Sequence, residues 1–221
     1  MTQAYKLIIF DLDGVITTEH IYWDCARLTL WELLQLRLQV WLPYGPAVHD
    51  VCAREYVLPQ STVFNIKNRA INSNWDLTFL GACALLLALP ADVGQGAADI
   101  DDLWRSLTHA NLPAIVWPAA VDDLLMRMGD RRGADLLRAA GEAAAEHLGL
   151  DRALLVPDGP LWQALYARFQ GWYDGRLMGV WGAPPLPERP VCPAADMQRA
   201  LSDLREAGCT LGIATGRPYV E

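Results

Sequence analysis

Two aspartates that follow a short apolar segment near the start of the sequence are the first residues that could do chemistry. Asp11 and Asp13 flank a single residue directly after residues 6–10. In extended backbone, residues two apart point to the same side, so we expect the two carboxylates to lie close together. Two such acids repel each other unless a cation joins them, and Mg²⁺ takes oxygen ligands of this kind. The pattern therefore predicts a magnesium site made by Asp11 and Asp13.

The same pair of acids could transfer a phosphoryl group. One carboxylate would attack phosphorus and form an aspartyl-phosphate, and the other would protonate the leaving oxygen and later activate water. The metal would also bind a phosphate oxygen of the substrate. An isolated Asp-x-Asp-Gly could equally be a strand-end turn with solvated acids, so the surrounding elements decide between the two interpretations.

Two apolar segments far apart in the chain have the character of buried strands. Residues 6–10 are uniformly apolar after Lys6 and rich in β-formers, which is typical of a strand covered on both faces. Near the other end, residues 194–207 have apolar residues at helical spacing, and Gly208 predicts the end of that helix. Residues 209–214 then form the second predicted strand.

Thr215 and Gly216 follow the second predicted strand. They offer a hydroxyl and an unhindered backbone N–H, which are suitable donors to phosphate oxygens in a loose transition state. If the two strands are parallel neighbours, these donors lie beside Asp11, where open α/β sheets bind their ligands.

The long segment between the two strands predicts a helical module. Helical periodicity is clear in residues 19–40, 134–148 and 161–173, and the apolar residues 79–91 are too few for a membrane span and predict a buried helix. The proline-dense residues 182–190 resemble a stiff connection back to the second strand.

Composition excludes several classes of protein. The 221 residues are 52% hydrophobic with a net charge of −8, which argues against a disordered chain and against binding to nucleic acid or an anionic membrane. The five cysteines form no CxxC pair, and the first apolar run is too short for a secretory signal. We therefore expect free thiols and a cytoplasmic protein.

The residues around both strand ends resemble a known family. Leu-Ile-Ile-Phe-Asp-Leu-Asp-Gly-Val at residues 7–15 resembles motif I of the haloacid dehalogenase-like (HAD) hydrolases, and Gly-Ile-Ala-Thr-Gly-Arg-Pro at residues 212–218 resembles their motif II. The resemblance implies an α/β fold with a partial Rossmann-like parallel sheet core, residues 1–17 and 191–221, and a large inserted α-helical cap domain, residues 18–190.

The resemblance also implies a role for each site residue. Asp11 is the nucleophile and a metal ligand, and Asp13 is the general acid/base and offers its backbone carbonyl to Mg²⁺. Thr215 and Gly216 bind the phosphate. Family members that cleave halides or phosphonates lack the second Asp, so Asp13 favours phosphoryl chemistry.

Together, these expectations predict a Mg²⁺-dependent phosphomonoester hydrolase that acts on a small phosphorylated metabolite. Two alternatives stay open: a phosphotransferase such as a mutase, and a non-catalytic truncated remnant that binds a phosphorylated ligand or a partner chain.

The family also uses a basic residue and an acidic pair downstream of motif II, and the chain has no such residues there. Two strands and one helix cannot cover both faces of strands this apolar. We therefore expect a fragment, a truncated product, or half of an assembly completed by another chain or by a homo-oligomer. Alone, it should have an unpaired edge on the first strand and a weak site.

Other residues that could bind or react have simpler structural interpretations. Most of the nine tryptophans should lie in the core, and the four histidines have no ligand spacing. Asp99, Asp101 and Asp102 predict a helix start, and Asp122 and Asp123 suit the first turn of another helix.

Overall fold

The computed structural model describes residues 6–33, 56–91, 93–109, 117–177 and 185–215. These residues form a mixed α/β structure that is mostly helical and has a small two-stranded parallel sheet. In chain order the elements are β1 (Leu7–Asp11), α1 (His20–Glu32), α2 (Gln60–Lys67), α3 (Asn74–Ala88), α4 (Ile100–His109), α5 (Trp117–Arg127), α6 (Gly133–Leu148), a 3₁₀ turn (Arg152–Leu155), α7 (Pro160–Tyr173), α8 (Ala194–Glu206) and β2 (Thr210–Ala214).

The chain divides into two compact units. Met1–Ile21 and Leu186–Glu221 make one, here called the sheet unit, and Tyr22–Pro185 make the other, the helical unit. The helical unit is therefore inserted, in sequence, between the two parts of the sheet unit. The predicted boundaries are at residues 17/18 and 190/191.

The sheet unit contains both strands, and they are parallel as expected. The register pairs Leu7 with Thr210 at one end and Asp11 with Ala214 at the other. Among the described residues each strand has only this one neighbour, so each has one edge without a strand partner.

The apolar core of the helical unit surrounds α3. Every residue from Leu77 to Leu86 is buried, because α2, α5, α6 and α7 all pack against this helix. Ser73 Oγ accepts a hydrogen bond of 3.2 Å from the backbone N–H of Asp76, which satisfies one of the free donors at the start of α3. The prediction of a buried helix here is confirmed, although the helix begins five residues before residue 79. No helix in the described ranges combines the length and apolarity that crossing a membrane requires.

Several helix ends follow the sequence signals. α6 ends at Gly149, whose φ of 68° is left-handed, and α7 begins with Pro160 in its first turn. Asp101 and Asp102 lie in the first turn of α4, as predicted. The prediction for Asp122 and Asp123 is wrong, because α5 begins at Trp117 and both acids lie in its middle.

Candidate active site

The carboxyl ends of the two strands meet at one edge of the sheet. Asp11 is the last residue of β1 and pairs with Ala214, the last residue of β2. Thr215 follows Ala214 directly and is exposed. The parallel register therefore brings Asp11 and Thr215 to the same edge. Gly216, the other predicted phosphate-binding residue, lies outside the described residues.

The carboxylate of Asp11 is exposed and is oriented by the backbone. Its Oδ1 accepts a hydrogen bond of 2.7 Å from the N–H of Leu12. Such a local bond holds one oxygen against the following turn. The second oxygen, Oδ2, has no hydrogen-bond partner among the described residues, so it is available to a ligand.

Asp13 lies in a tight turn just beyond the strand. The carbonyl oxygen of Leu12 accepts bonds from the N–H groups of Ile16 (3.0 Å) and Thr17 (2.9 Å), and Gly14 donates to the carbonyl of Thr17 at 2.7 Å. Gly14 has a φ of 78°, a left-handed conformation that glycine adopts without strain. Asp13 is half-buried and pairs with Thr17 through an isolated bridge.

This turn differs from the extended backbone from which the pairing of the two acids was predicted. β1 ends at Asp11 and the chain bends at Leu12, so Asp13 is placed by the turn and not by the alternation of a strand.

A second chain segment supports the turn from its other side. Thr18 donates its N–H to the carbonyl of Arg189 at 2.7 Å, and Val191 donates to the carbonyl of Ile16 at 3.0 Å. Thr17 and Pro190 form an antiparallel bridge between these two bonds. The turn that carries Asp13 is thus paired with the segment that leads into α8.

Thr17 is a residue of this site that the sequence did not mark. The Thr17 hydroxyl donates a hydrogen bond of 3.2 Å to the carbonyl oxygen of Leu12, so the side chain of Thr17 also stabilises the turn. The available signal was the position of a threonine three residues after Gly14, where a hydroxyl can bond back to the start of a turn.

The predicted magnesium ligands are two carboxylates at one turn. No group of three or more His, Cys, Asp or Glu side chains that could hold a metal occurs in the described ranges. Mg²⁺ is usually held by one or two carboxylates together with waters and substrate phosphate oxygens, and does not need a cage made entirely of protein. The exposed carboxylate of Asp11 and the oxygens of Asp13, two residues later in the chain, would supply ligands of this kind.

The chain is similar in fold to a solved structure. The X-ray structure of a target of the Northeast Structural Genomics Consortium matches 97% of this chain with a TM-score of 0.67 and 24% sequence identity. This chain spans 63% of the length of that protein. At this identity the similarity establishes a shared fold alone. No model of a known protein family and no curated protein matches the chain.

Proposed function

We propose that the protein is a Mg²⁺-dependent phosphomonoester hydrolase of the HAD-like type, acting on a small phosphorylated metabolite. The observation that carries the proposal is the parallel register, which ends β1 at Asp11 and β2 one residue before Thr215. A carboxylate nucleophile and a hydroxyl donor at one sheet edge are what phosphoryl transfer through an aspartyl-phosphate requires. The finer fold, a partial Rossmann-like core with an inserted helical cap, belongs to the same proposal.

In the proposed mechanism Asp11 is the nucleophile. Its Oδ2 attacks phosphorus, and the bond between phosphorus and the leaving alcohol oxygen breaks while Asp13 donates a proton to that oxygen. Asp13 then takes a proton from water, which attacks the aspartyl-phosphate, so that inorganic phosphate leaves and Asp11 is regenerated. Thr215 and Gly216 would donate hydrogen bonds to the phosphate oxygens. Mg²⁺ would be held by the carboxylate of Asp11 and the backbone carbonyl of Asp13, and it would neutralise charge on the phosphoryl group.

The family resemblance also implies a basic residue and an acidic pair after motif II, which would neutralise phosphate charge and complete the Mg²⁺ ligands. A polypeptide without them should hydrolyse the substrate weakly.

Replacement of the nucleophile tests the mechanism. In an assay of p-nitrophenyl phosphate hydrolysis with Mg²⁺, Asp11→Asn should abolish turnover, and Asp13→Asn should lower it roughly 10²- to 10⁴-fold because an acid/base group is lost. Asp203→Asn changes an exposed aspartate of the same unit and should leave turnover unchanged. Removal of Mg²⁺ with EDTA should also abolish hydrolysis.

A second readout does not depend on fast turnover. Hydroxylamine converts an acyl phosphate to a hydroxamate, so incubation with acetyl phosphate and then hydroxylamine should modify Asp11 and no other acid, as read by peptide mass spectrometry. Hydrolysis that persists in Asp11→Asn or in EDTA would contradict the covalent mechanism, as would a hydroxamate at another residue.

A further inference from the structure

The helical unit contains a polar cleft that none of the residues proposed for catalysis lines. Its volume is about 400 Å³, within the range of roughly 300–1,000 Å³ that is usual for small-molecule sites. The end of α2, one face of α5 and the loop between α5 and α6 form its walls. The polar side chains that line it are Arg69, Arg132, Asp122, Asp130, Asn65 and Asn68.

Helix α5 adds an apolar surface to the same cleft. Leu125 and Met126 follow Asp122 by three and four residues, so the three side chains share one face of the helix. Leu125 is buried, whereas Met126 is 71% exposed although its side chain is apolar. A methionine is unbranched and adapts to the shape of what it contacts. The cleft therefore offers an apolar surface next to its charged groups.

Arg69 holds the loop wall of the cleft in place. Its guanidinium donates a hydrogen bond to the carbonyl of Gly129, and its own carbonyl accepts one of 2.8 Å from the N–H of Gly133. The next residue, Ala70, has a φ of 61°, a left-handed conformation that is strained for a residue other than glycine. Strain of this kind is concentrated at binding and catalytic sites, where the surrounding structure maintains it. A wall fixed in this way lowers the cost of ordering the site around a ligand.

The four charged side chains of the cleft do not neutralise one another. Arg69, Arg132, Asp122 and Asp130 form no ion pair with any residue in the described part of the chain. Two positive and two negative groups are thus present in one cleft, and each sign is available to a ligand.

We propose that this cleft binds a free α-amino acid with an apolar side chain, an activity separate from the proposed hydrolysis. Arg132 and the remaining N–H groups of Arg69 would bind the carboxylate, because a guanidinium matches a carboxylate with paired hydrogen bonds. Asp122 and Asp130 would accept hydrogen bonds from the ammonium group. Both groups of an α-amino acid are attached to one carbon, so a small ligand can satisfy both signs at once.

The other parts of the cleft suit the same ligand. The amides of Asn65 and Asn68 can donate to the carboxylate or accept from the ammonium group. The apolar side chain of the ligand would lie against Leu125 and Met126, where burial of apolar surface is favourable.

Ligands with one kind of charge fit less well. The two aspartates would repel a simple anion such as phosphate, and the two arginines would repel a simple cation. A neutral polyol could form hydrogen bonds here, but it would leave the charges of both signs without a counter-charge. The balanced charges of the cleft therefore favour a zwitterion.

Nuclear magnetic resonance of the 221-residue chain tests the proposal at the cleft itself. With ¹³C-labelled methionine methyl groups, addition of L-leucine should shift the Met126 resonance in a saturable manner and leave that of Met197, in the sheet unit, unchanged. Two analogues each lack one charge: 4-methylpentanoate has no ammonium group, and 3-methylbutylamine has no carboxylate. Each should bind about tenfold or more weakly than L-leucine, because hydrogen bonds to charged groups are lost.

Substitutions that remove one charge and keep the size of the side chain locate the site. Asp122→Asn and Arg132→Gln should each weaken L-leucine binding about tenfold or more. Both residues are exposed, so the helices should stay intact, which circular dichroism checks. The matched controls, Asp123→Asn and Arg127→Gln, change exposed residues of α5 that do not line this cleft and should bind normally. Asp11→Asn should also bind normally, so failure of the proposed hydrolase chemistry is distinguishable from failure of this site.

Several results would overturn the proposal. One is a Met126 resonance that does not respond to millimolar L-leucine, L-methionine or L-phenylalanine. Another is binding of either single-charge analogue, or of glycerol, as tight as that of L-leucine, since the cleft would then not select a zwitterion. A loss of binding in Asp123→Asn equal to that in Asp122→Asn would show a general effect of surface charge and would also overturn it.

Discussion

The cysteine side chains in the described part of the chain differ in burial, and this difference determines their reactivity. Cys25 and Cys83 are buried, whereas Cys192 and Cys209 are half-buried. Burial raises the pKa of the Cys83 thiol far above its ordinary value, because an apolar surrounding disfavours the thiolate. Since the thiolate is the reactive form, Cys83 should stay protonated and unreactive in the folded protein.

Alkylation of the native protein measures the reactivity of each cysteine separately. With iodoacetamide, Cys192 and Cys209 should be modified first, and Cys83 only after denaturation, as read by peptide mass spectrometry. Raising the pH from about 7 to 9 should leave Cys83 unmodified in the native protein, because burial raises the pKa of its thiol far above that range. Labelling of Cys83 at a rate equal to that of Cys192 would contradict its burial.

At the scale of elements, the contact of α6 with the 3₁₀ turn depends on a glycine. A Cβ on Gly141 would overlap the carbonyl oxygen of Leu155 and would lie 3.4 Å from the ring of Phe79. Because the overlapping atom belongs to the backbone, the turn and the helix would have to move apart. Gly141→Ala should therefore destabilise the protein by about 1–3 kcal/mol, the usual cost of overpacking, although alanine is the better helix former.

Chemical denaturation of Gly141→Ala measures this cost. The matched control is Ala143→Gly, at a half-buried position of the same helix, where only the lower helix propensity of glycine acts and the loss should be about 1 kcal/mol or less. A Gly141→Ala protein as stable as the wild type would show that α6 does not approach the turn this closely.

The same elements indicate what the sequence could predict. The predicted helical residues 134–148 and 161–173 agree closely with α6 and α7, because Gly149 and Pro160 act at these helix ends through local backbone preferences. The apolar residues 6–10 predicted β1 for a similar reason. The start of α3 was missed, although Ser73 is a typical N-cap, because the polar residues Asn74 and Asp76 interrupt the apolar pattern, which is continuous only from residue 79. The sequence did not predict that Asp122 lies in the middle of α5. This helix begins at Trp117, and its first turn has no acidic residue that would have marked its start.

In the candidate site, strand ends were predictable and the turn was not. The carboxyl ends of neighbouring parallel strands lie at one edge of a sheet, and this rule predicted that Asp11 and Thr215 lie at the same edge. The position of Asp13 depends on the carbonyl of Leu12, which accepts bonds from Ile16 and Thr17, and on the pairing of Thr17 with Pro190. The pairing with Pro190 joins segments that lie far apart in sequence, so no local pattern encodes it.

At the scale of the whole molecule, the two units differ in how much apolar surface they bury. The large buried side chains, such as Phe79, Phe169 and Trp172, belong to the helical unit, whereas Leu7, Ile9 and Ile213 of the sheet unit are exposed. A domain with its own core can fold alone. We therefore expect Tyr22–Pro185, expressed by itself, to give a helical circular dichroism spectrum and a single cooperative thermal transition.

A variant with a disrupted core controls this experiment. Leu85 is fully buried in α3, so Leu85→Asp should abolish the transition, because an unpaired charge in the core costs several kcal/mol. A gradual, non-cooperative melt of the unsubstituted Tyr22–Pro185 fragment would show that its core needs the sheet unit.

The pairing of β1 with β2 joins two segments that lie about 200 residues apart in the sequence, and this has a consequence for synthesis in the cell. Leu7–Asp11 leaves the ribosome well before its partner Thr210–Ala214 is made. At translation rates of roughly 5–20 residues per second, the nascent strand waits on the order of ten seconds or more for its partner. During that interval its apolar residues can bind a chaperone, while the helical segment has time to fold before the two strands meet.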